Sequence, residues 1–110
     1  MDKLNIVYFV DSKGRKPIKD FLDSSSPKQQ AKILRVFHYI KEYGLHSIIP
    51  HLKKLTGTPL WEIRILGKDN LRVLYVLEYK NIVLVLHCFI KKTQKIDKKD
   101  VAIALYRYNE

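Results

Sequence analysis

Residues 60–90 read LWEIRILGKDNLRVLYVLEYKNIVLVLHCFI, and three apolar runs separated by turn chemistry decide the fold. In LWEIRIL (60–66) the period is two: Trp61, Ile63 and Ile65 face one way, Glu62 and Arg64 the other. Gly67, Lys68, Asp69 and Asn70 form a turn, and residues 71–79 form the next strand. Lys80 and Asn81 make a tight reversal into residues 82–90, a third strand apolar enough to be central. Connections this short exclude crossovers, so the three strands are expected as an antiparallel meander.

Upstream, residues 5–10 are apolar and β-branched and stop at the turn cluster Asp11-Ser12-Lys13-Gly14, which predicts a first strand. Pro17 suits the first turn of a short helix that carries Ile18, Phe21 and Leu22 and ends near Ser24. A second helix has Ser26 as N-cap, Pro27 at its first position and Gln29 at its third, a capping-box arrangement. Ile33, Phe37 and Ile40 make its apolar stripe, with Leu34 beside it and Lys28, Lys32 and Arg35 opposite, and Gly44 closes it. Residues 45–58 read as a turn of helix or a bent entry into a strand. At the other end Asp97 is positioned to cap a last helix, where Val101, Ala104, Leu105 and Tyr108 recur at helical spacing. The expected fold is α+β: an N-terminal strand and two helices packed on an antiparallel sheet with the meander, then a C-terminal helix. With 110 residues, one domain over 1–110 is expected.

Twenty-one Lys plus Arg against eleven Asp plus Glu leave a formal charge of +10. A disordered basic tail is excluded, because 46% of the residues are apolar, enough to offset the entropy of ordering. The single cysteine, Cys88, builds no disulfide or cysteine-based zinc site within the chain and fits a reducing compartment. The N-terminal residues lack the basic start and long apolar core of a secretory signal, and no stretch approaches the roughly 18 apolar residues of a membrane span. A cytoplasmic protein with a polyanionic partner and no membrane partner is expected.

The cations are unevenly placed. Lys91, Lys92, Lys95, Lys98 and Lys99 meet only Asp97 within residues 91–99, directly after a strand. A second group, Lys13, Arg15, Lys16 and Lys19, follows the first strand, and Lys53 and Lys54 precede the meander. Alternation puts His87, Phe89 and Lys91 on one face and Arg64 on a polar face. If that face is open, Arg64, Arg72, His87 and Lys91 converge on one anionic group, and Phe89 offers a stacking surface for a base. The structural alternatives are an ion pair between Arg64 and Glu62 or Glu78, and for His87 a packed, hydrogen-bonded place in an apolar strand.

Metal chemistry lacks ligands: His46 and His51 flank Pro50 on a loop, there is no HxH or HExxH, and carboxylates do not cluster. No glycine-rich phosphate loop or Gly-x-Ser-x-Gly elbow occurs. Neither metal nor cofactor is therefore expected. Metal-free cleavage of RNA fits the residues available: the substrate's 2′-hydroxyl attacks the adjacent phosphate, and the protein moves protons and stabilises negative charge.

LWEIRI, LRVLYVL and above all LHCFIKKTQK followed by a capped helix resemble the phage-derived HigB-like branch of the RelE/ParE toxin superfamily, as do GRKPIKDFLDS and the helix ending in YG. The resemblance spans nearly the whole chain and implies a bacterial type II toxin. Its activity would be that of a ribosome-dependent mRNA endonuclease, meeting mRNA and ribosomal RNA, restrained by a co-transcribed antitoxin with a helix-turn-helix domain. By position Arg64 would bind the scissile phosphate and stabilise its transition state. Lys91 and Lys92 would serve as general base or acid and as phosphate clamp. Lys53, Lys54, Arg72, His87, Phe89 and Lys95 are the further RNA-binding candidates. Some relatives use a histidine or tyrosine near the C-terminus; Tyr106 and Tyr108 are present but no histidine is, so the proton donor stays open. Two other readings share this frame, a ParE-like toxin acting on DNA gyrase and a non-catalytic nucleic-acid-binding module.

Overall fold

A computed structural model of the protein describes residues 3–65, 67–93, 95 and 98–110. In chain order the elements are β1 (Asn5–Tyr8), α1 (Pro17–Ser24), α2 (Pro27–Tyr43), β2 (Leu52–Lys54), β3 (Trp61–Arg64), β4 (Leu71–Glu78), β5 (Ile82–Ile90) and α3 (Lys98–Tyr108). Between α2 and β2 lies a kinked 3₁₀ segment, Leu45–His51, so the linker holds both a helical turn and a short strand.

The second helix follows its sequence signals closely. The Ser26 hydroxyl accepts from the Gln29 N–H at 3.1 Å, and the Gln29 side chain accepts from the Ser26 N–H at 3.1 Å. Each bond satisfies an amide that the first helical turn leaves unpaired. At the other end Gly44 takes φ +84°, a conformation that costs a side-chain-bearing residue, and donates to the Ile40 carbonyl. Ile33, Phe37 and Ile40 are buried, each contributing roughly 1.5–3 kcal/mol by leaving water.

The sheet has the order β1-β5-β4-β3-β2. The β3, β4 and β5 strands form the expected antiparallel meander, and β2 adds antiparallel to β3. The sheet as a whole is mixed, not antiparallel, because β1 runs parallel to β5. The two helices after β1 carry the chain back across one face, which a short turn would not do. The first strand is also shorter than the apolar run suggests, ending at Tyr8, although the Phe9 N–H still donates to the Val85 carbonyl at 2.9 Å. The β4–β5 reversal is centred one residue earlier than expected: Tyr79 and Lys80 both have positive φ, and the Asn81 N–H closes the turn on the Glu78 carbonyl.

Both faces of the sheet are covered. Ile18, Leu22, Ile33, Phe37 and Ile40 from α1 and α2 pack with Ile63, Val73, Tyr75, Val83, Val85 and Cys88. On the opposite face Ala104 of α3 packs with Leu74, Val76, Leu86 and Phe89, and with Phe9, Leu55 and Leu60. The face that Glu62 and Arg64 share is therefore only partly open, and Glu62 is 1% exposed.

A break in the ladder decides which side chains meet α3. Leu74 pairs with His87 and Tyr75 with Val85, so Leu86 is the extra residue of a β-bulge. As a result Leu86 and His87 both reach the α3 side, while Val85 and Cys88 stay with α1 and α2. Phe89 follows Leu86 onto the α3 face. The expected N-cap, Asp97, lies outside the described residues.

Candidate nucleic-acid interface

The end of β5 is fixed to the neighbouring turn by the Lys91 N–H, which donates to the Asn70 carbonyl at 2.8 Å. Lys91 and Lys92 therefore leave a pinned strand end, not a free loop. They stand between two clefts. One, of about 440 Å³, is lined by Asn70, Arg72, Lys91, Lys92 and Thr93, with no carboxylate among them. The other, of about 340 Å³, includes Phe89, Lys91, Lys92, Lys95, Lys99 and, as the single acid among the described residues, Asp100.

Arg72 sits in register between Arg64 on β3 and Phe89 on β5, which puts all three on the α3 side of the sheet. Its Nη1 donates to the Leu71 carbonyl at 3.0 Å, and its buried Nε has no partner among the described residues. A half-satisfied, half-buried guanidinium beside two lysines makes an electropositive floor for the cleft. Arg64 lines neither cleft. Its Nε lies 3.5 Å from the buried Glu62 carboxylate, the ion pair anticipated as an alternative, and its side chain is otherwise 47% exposed.

His87 and Phe89 are not open contact surfaces. Phe89 is 6% exposed, and its ring stacks on the His87 imidazole at 5.2 Å with 14° between the planes. Arg107 Nη1 donates to the Leu86 carbonyl at 2.8 Å and lies 3.3 Å from His87 Nδ1. Because a guanidinium only donates, Nδ1 is the accepting nitrogen of a neutral ring, and Nε2–H donates to Asp100 Oδ1 at 2.8 Å. Burial lowers the His87 pKa below its ordinary value, against the pull of Asp100 and with the help of Arg107. The ring is thus a neutral link between two ions.

Asp100 and Arg107 are the participants that the sequence reading missed. They lie seven residues apart on α3, two helical turns, so they share a face with Ala104. That spacing was visible, but polar residues on an apolar stripe carry no sign of the histidine they hold.

The remaining cations separate. Lys54 donates to the Thr58 carbonyl at 2.8 Å and covers the Trp61 ring at 5.4 Å, and so is already engaged. Lys53 is exposed on the far strand, opposite Glu62 in register. In the group after β1, Arg15 pairs with Asp11 and Lys19 with Asp23. Lys95 lines the second cleft. Among the described residues no three His, Cys, Asp or Glu side chains come together as a metal site requires, and no helix is long and apolar enough to cross a membrane.

The sheet with two helices on one face and a C-terminal helix on the other is the RelE-type toxin fold. A double arginine-to-alanine mutant of E. coli toxin RelE in the free state superposes with a TM-score of 0.62 and 16% identity, over 97% of this chain and 98% of that one. A chain of the YoeB–YefM complex from Staphylococcus aureus gives 0.56 and 20%, over 82% of this chain and 99% of that one. Residues 20–109 match the phage-derived protein Gp49-like family (DUF891), and the chain belongs to that family. No curated protein sequence matches it significantly.

Proposed function

We propose that the protein is a HigB-like toxin of a type II toxin–antitoxin pair and cleaves mRNA on the ribosome without a metal ion. The observation that carries this reading is the cleft in which Arg72, Lys91 and Lys92 come together with no carboxylate among the described lining residues. Three cations at a pinned strand end suit a phosphodiester, whose negative charge grows in the transition state. Lys91 and Lys92 hold the phosphate and exchange protons with the reacting oxygens. Arg64 lies outside the cleft but pairs in register with Arg72 and is half exposed, and on this reading it stabilises the added charge. Lys95 and Lys53 extend the contact along the strand, while His87 and Phe89 support the site from beneath.

The partners on this reading are mRNA, ribosomal RNA and an antitoxin with a helix-turn-helix domain, in the cytoplasm. The structural relative solved as the YoeB–YefM complex supports the existence of a protein partner. Purified protein added to translating ribosomes with a reporter mRNA should cut the message, and Arg64→Ala combined with Lys91→Ala should abolish cutting. Intact message alongside inhibited supercoiling by gyrase would instead establish a ParE-like activity and overturn the nuclease reading.

A further inference from the structure

The second cleft contains a feature that phosphate binding alone does not explain. Among its described lining residues Lys91, Lys92, Lys95 and Lys99 are cations, and Asp100 is the one acid. A carboxylate there repels a phosphate and weakens the anion affinity that the lysines create. A favourable interaction with the N-terminus of α3 explains an acid in the first helical turn, at roughly 0.3–1 kcal/mol. It does not explain why the carboxylate is gripped from β5.

That grip is specific. His87 Nε2 donates to Oδ1 of Asp100 at 2.8 Å, and the imidazole is itself oriented by Arg107 at Nδ1 and by the Phe89 ring stacked on its face. Arg107 is anchored in turn to the carbonyl of the bulge residue, Leu86. The chain Arg107–His87–Asp100 thus fixes one carboxylate oxygen. Among the described residues the other oxygen has no hydrogen-bond partner, and the side chain is 20% exposed at the cleft. A base held in this way by a neutral histidine is pre-oriented and needs no reorganisation when substrate arrives.

We propose that Asp100 is the general base of RNA cleavage, with His87 and Arg107 as its positioning residues; this rests on the nuclease reading above. The carboxylate oxygen not held by His87 removes the proton of the 2′-hydroxyl as O2′ bonds to the adjacent phosphorus. The bond from phosphorus to the 5′-oxygen breaks, and that oxygen takes a proton from Lys91 or Lys92. The products are a 2′,3′-cyclic phosphate and a 5′-hydroxyl, and exchange with water restores the carboxylate and the ammonium. Among the described residues the charged and titratable groups around Asp100 are His87, Cys88, Lys91 and Lys92 from β5 and its end, Lys95, and Lys99 from α3, with Arg107 reaching it through His87.

The test compares single-turnover cleavage of ribosome-bound mRNA by wild type, Asp100→Asn and His87→Gln across pH, together with binding to the same RNA. Loss of a general base is expected to slow Asp100→Asn by roughly 10²–10⁴-fold and to remove the acidic limb of its pH–rate profile. RNA affinity should be unchanged or higher, because a repulsive charge is gone. His87→Gln keeps an N–H donor for Asp100 and should retain the limb with a smaller loss of rate. Cleavage by Asp100→Asn at the wild-type rate, or a slowed variant that keeps the wild-type pH profile, would overturn the assignment. Failure of the wild-type protein to cut RNA would instead remove the nuclease reading itself.

Discussion

Arg107 donates a hydrogen bond to the carbonyl of Leu86 at 2.8 Å, so the C-terminal helix fastens the one residue that the β4–β5 register leaves over. A bulge frees backbone groups that a regular ladder would pair, and here a guanidinium takes up the freed carbonyl. The same guanidinium fixes the His87 tautomer and lies over the Phe9 ring at 5.7 Å. One side chain thereby couples α3, the bulge and the end of β1.

Replacing Arg107 by methionine keeps part of the stem but strands the Leu86 carbonyl and His87 Nδ1. The expected loss is about 1–3 kcal/mol, the cost of leaving buried polar groups unpaired. Urea denaturation would measure it, with unchanged stability contradicting the role given to this contact.

His87 makes stability depend on pH in a definite direction. Its folded-state pKa lies below the ordinary 6.5, so between the two values the unfolded chain binds more protons. Stability is therefore full above about pH 6.5 and falls as the pH drops toward the folded-state value. In His87→Gln this component is absent. Urea midpoints compared at about pH 7.5 and about pH 5.5 should show a larger decrease for wild type than for the variant; equal decreases would contradict it.

The reversal between β4 and β5 carries strain that sequence can relieve. Tyr79 and Lys80 both occupy the left-handed region, at φ 51° and 69°, where side-chain-bearing residues other than Asn and Asp are disfavoured. Tyr79 is 83% exposed, so its removal sacrifices little packing. The double change Tyr79→Asn and Lys80→Gly supplies the residues this two-residue turn prefers and should stabilise the protein by about 1 kcal/mol. A thermal midpoint no higher than that of wild type would argue against strain at this turn.

What the sequence made legible follows from how local each signal is. The capping box at Ser26 and Gln29, the buried stripe of Ile33, Phe37 and Ile40 and the β3–β4 turn depend on neighbours a few residues away, and all formed as expected. The parallel pairing of β1 with β5 depends on residues about 80 apart in sequence, which no local pattern encodes. The bulge was invisible because residues 82–86 are apolar whichever face they meet. Without it, the side that would carry Phe89 is undetermined. The cationic pair at Lys91 and Lys92 was legible from charge alone, whereas the hold on His87 from Asp100 and Arg107 exists only once α3 has docked.

Cys88 faces α1 and α2 at 4% exposure, and burial pushes its thiol pKa up to about 12. It should remain unlabelled by an aromatic disulfide reagent in the native protein and react fully once urea unfolds the chain. Rapid native labelling would show that the β5 face is less tightly covered than its packing implies.

The chemistry of the cut end distinguishes attack by the 2′-hydroxyl from hydrolysis by water most directly. If Lys91, Lys92 and Arg64 serve attack by the substrate's own 2′-hydroxyl, fragments produced on translating ribosomes must carry a 2′,3′-cyclic phosphate upstream of the cut and a 5′-hydroxyl downstream. Mass spectrometry of the fragment ends is expected to find both, and a single 2′-deoxy substitution at the cut nucleotide should block the reaction. A 5′-phosphate on the downstream fragment, or cleavage that tolerates the 2′-deoxy nucleotide, would contradict it.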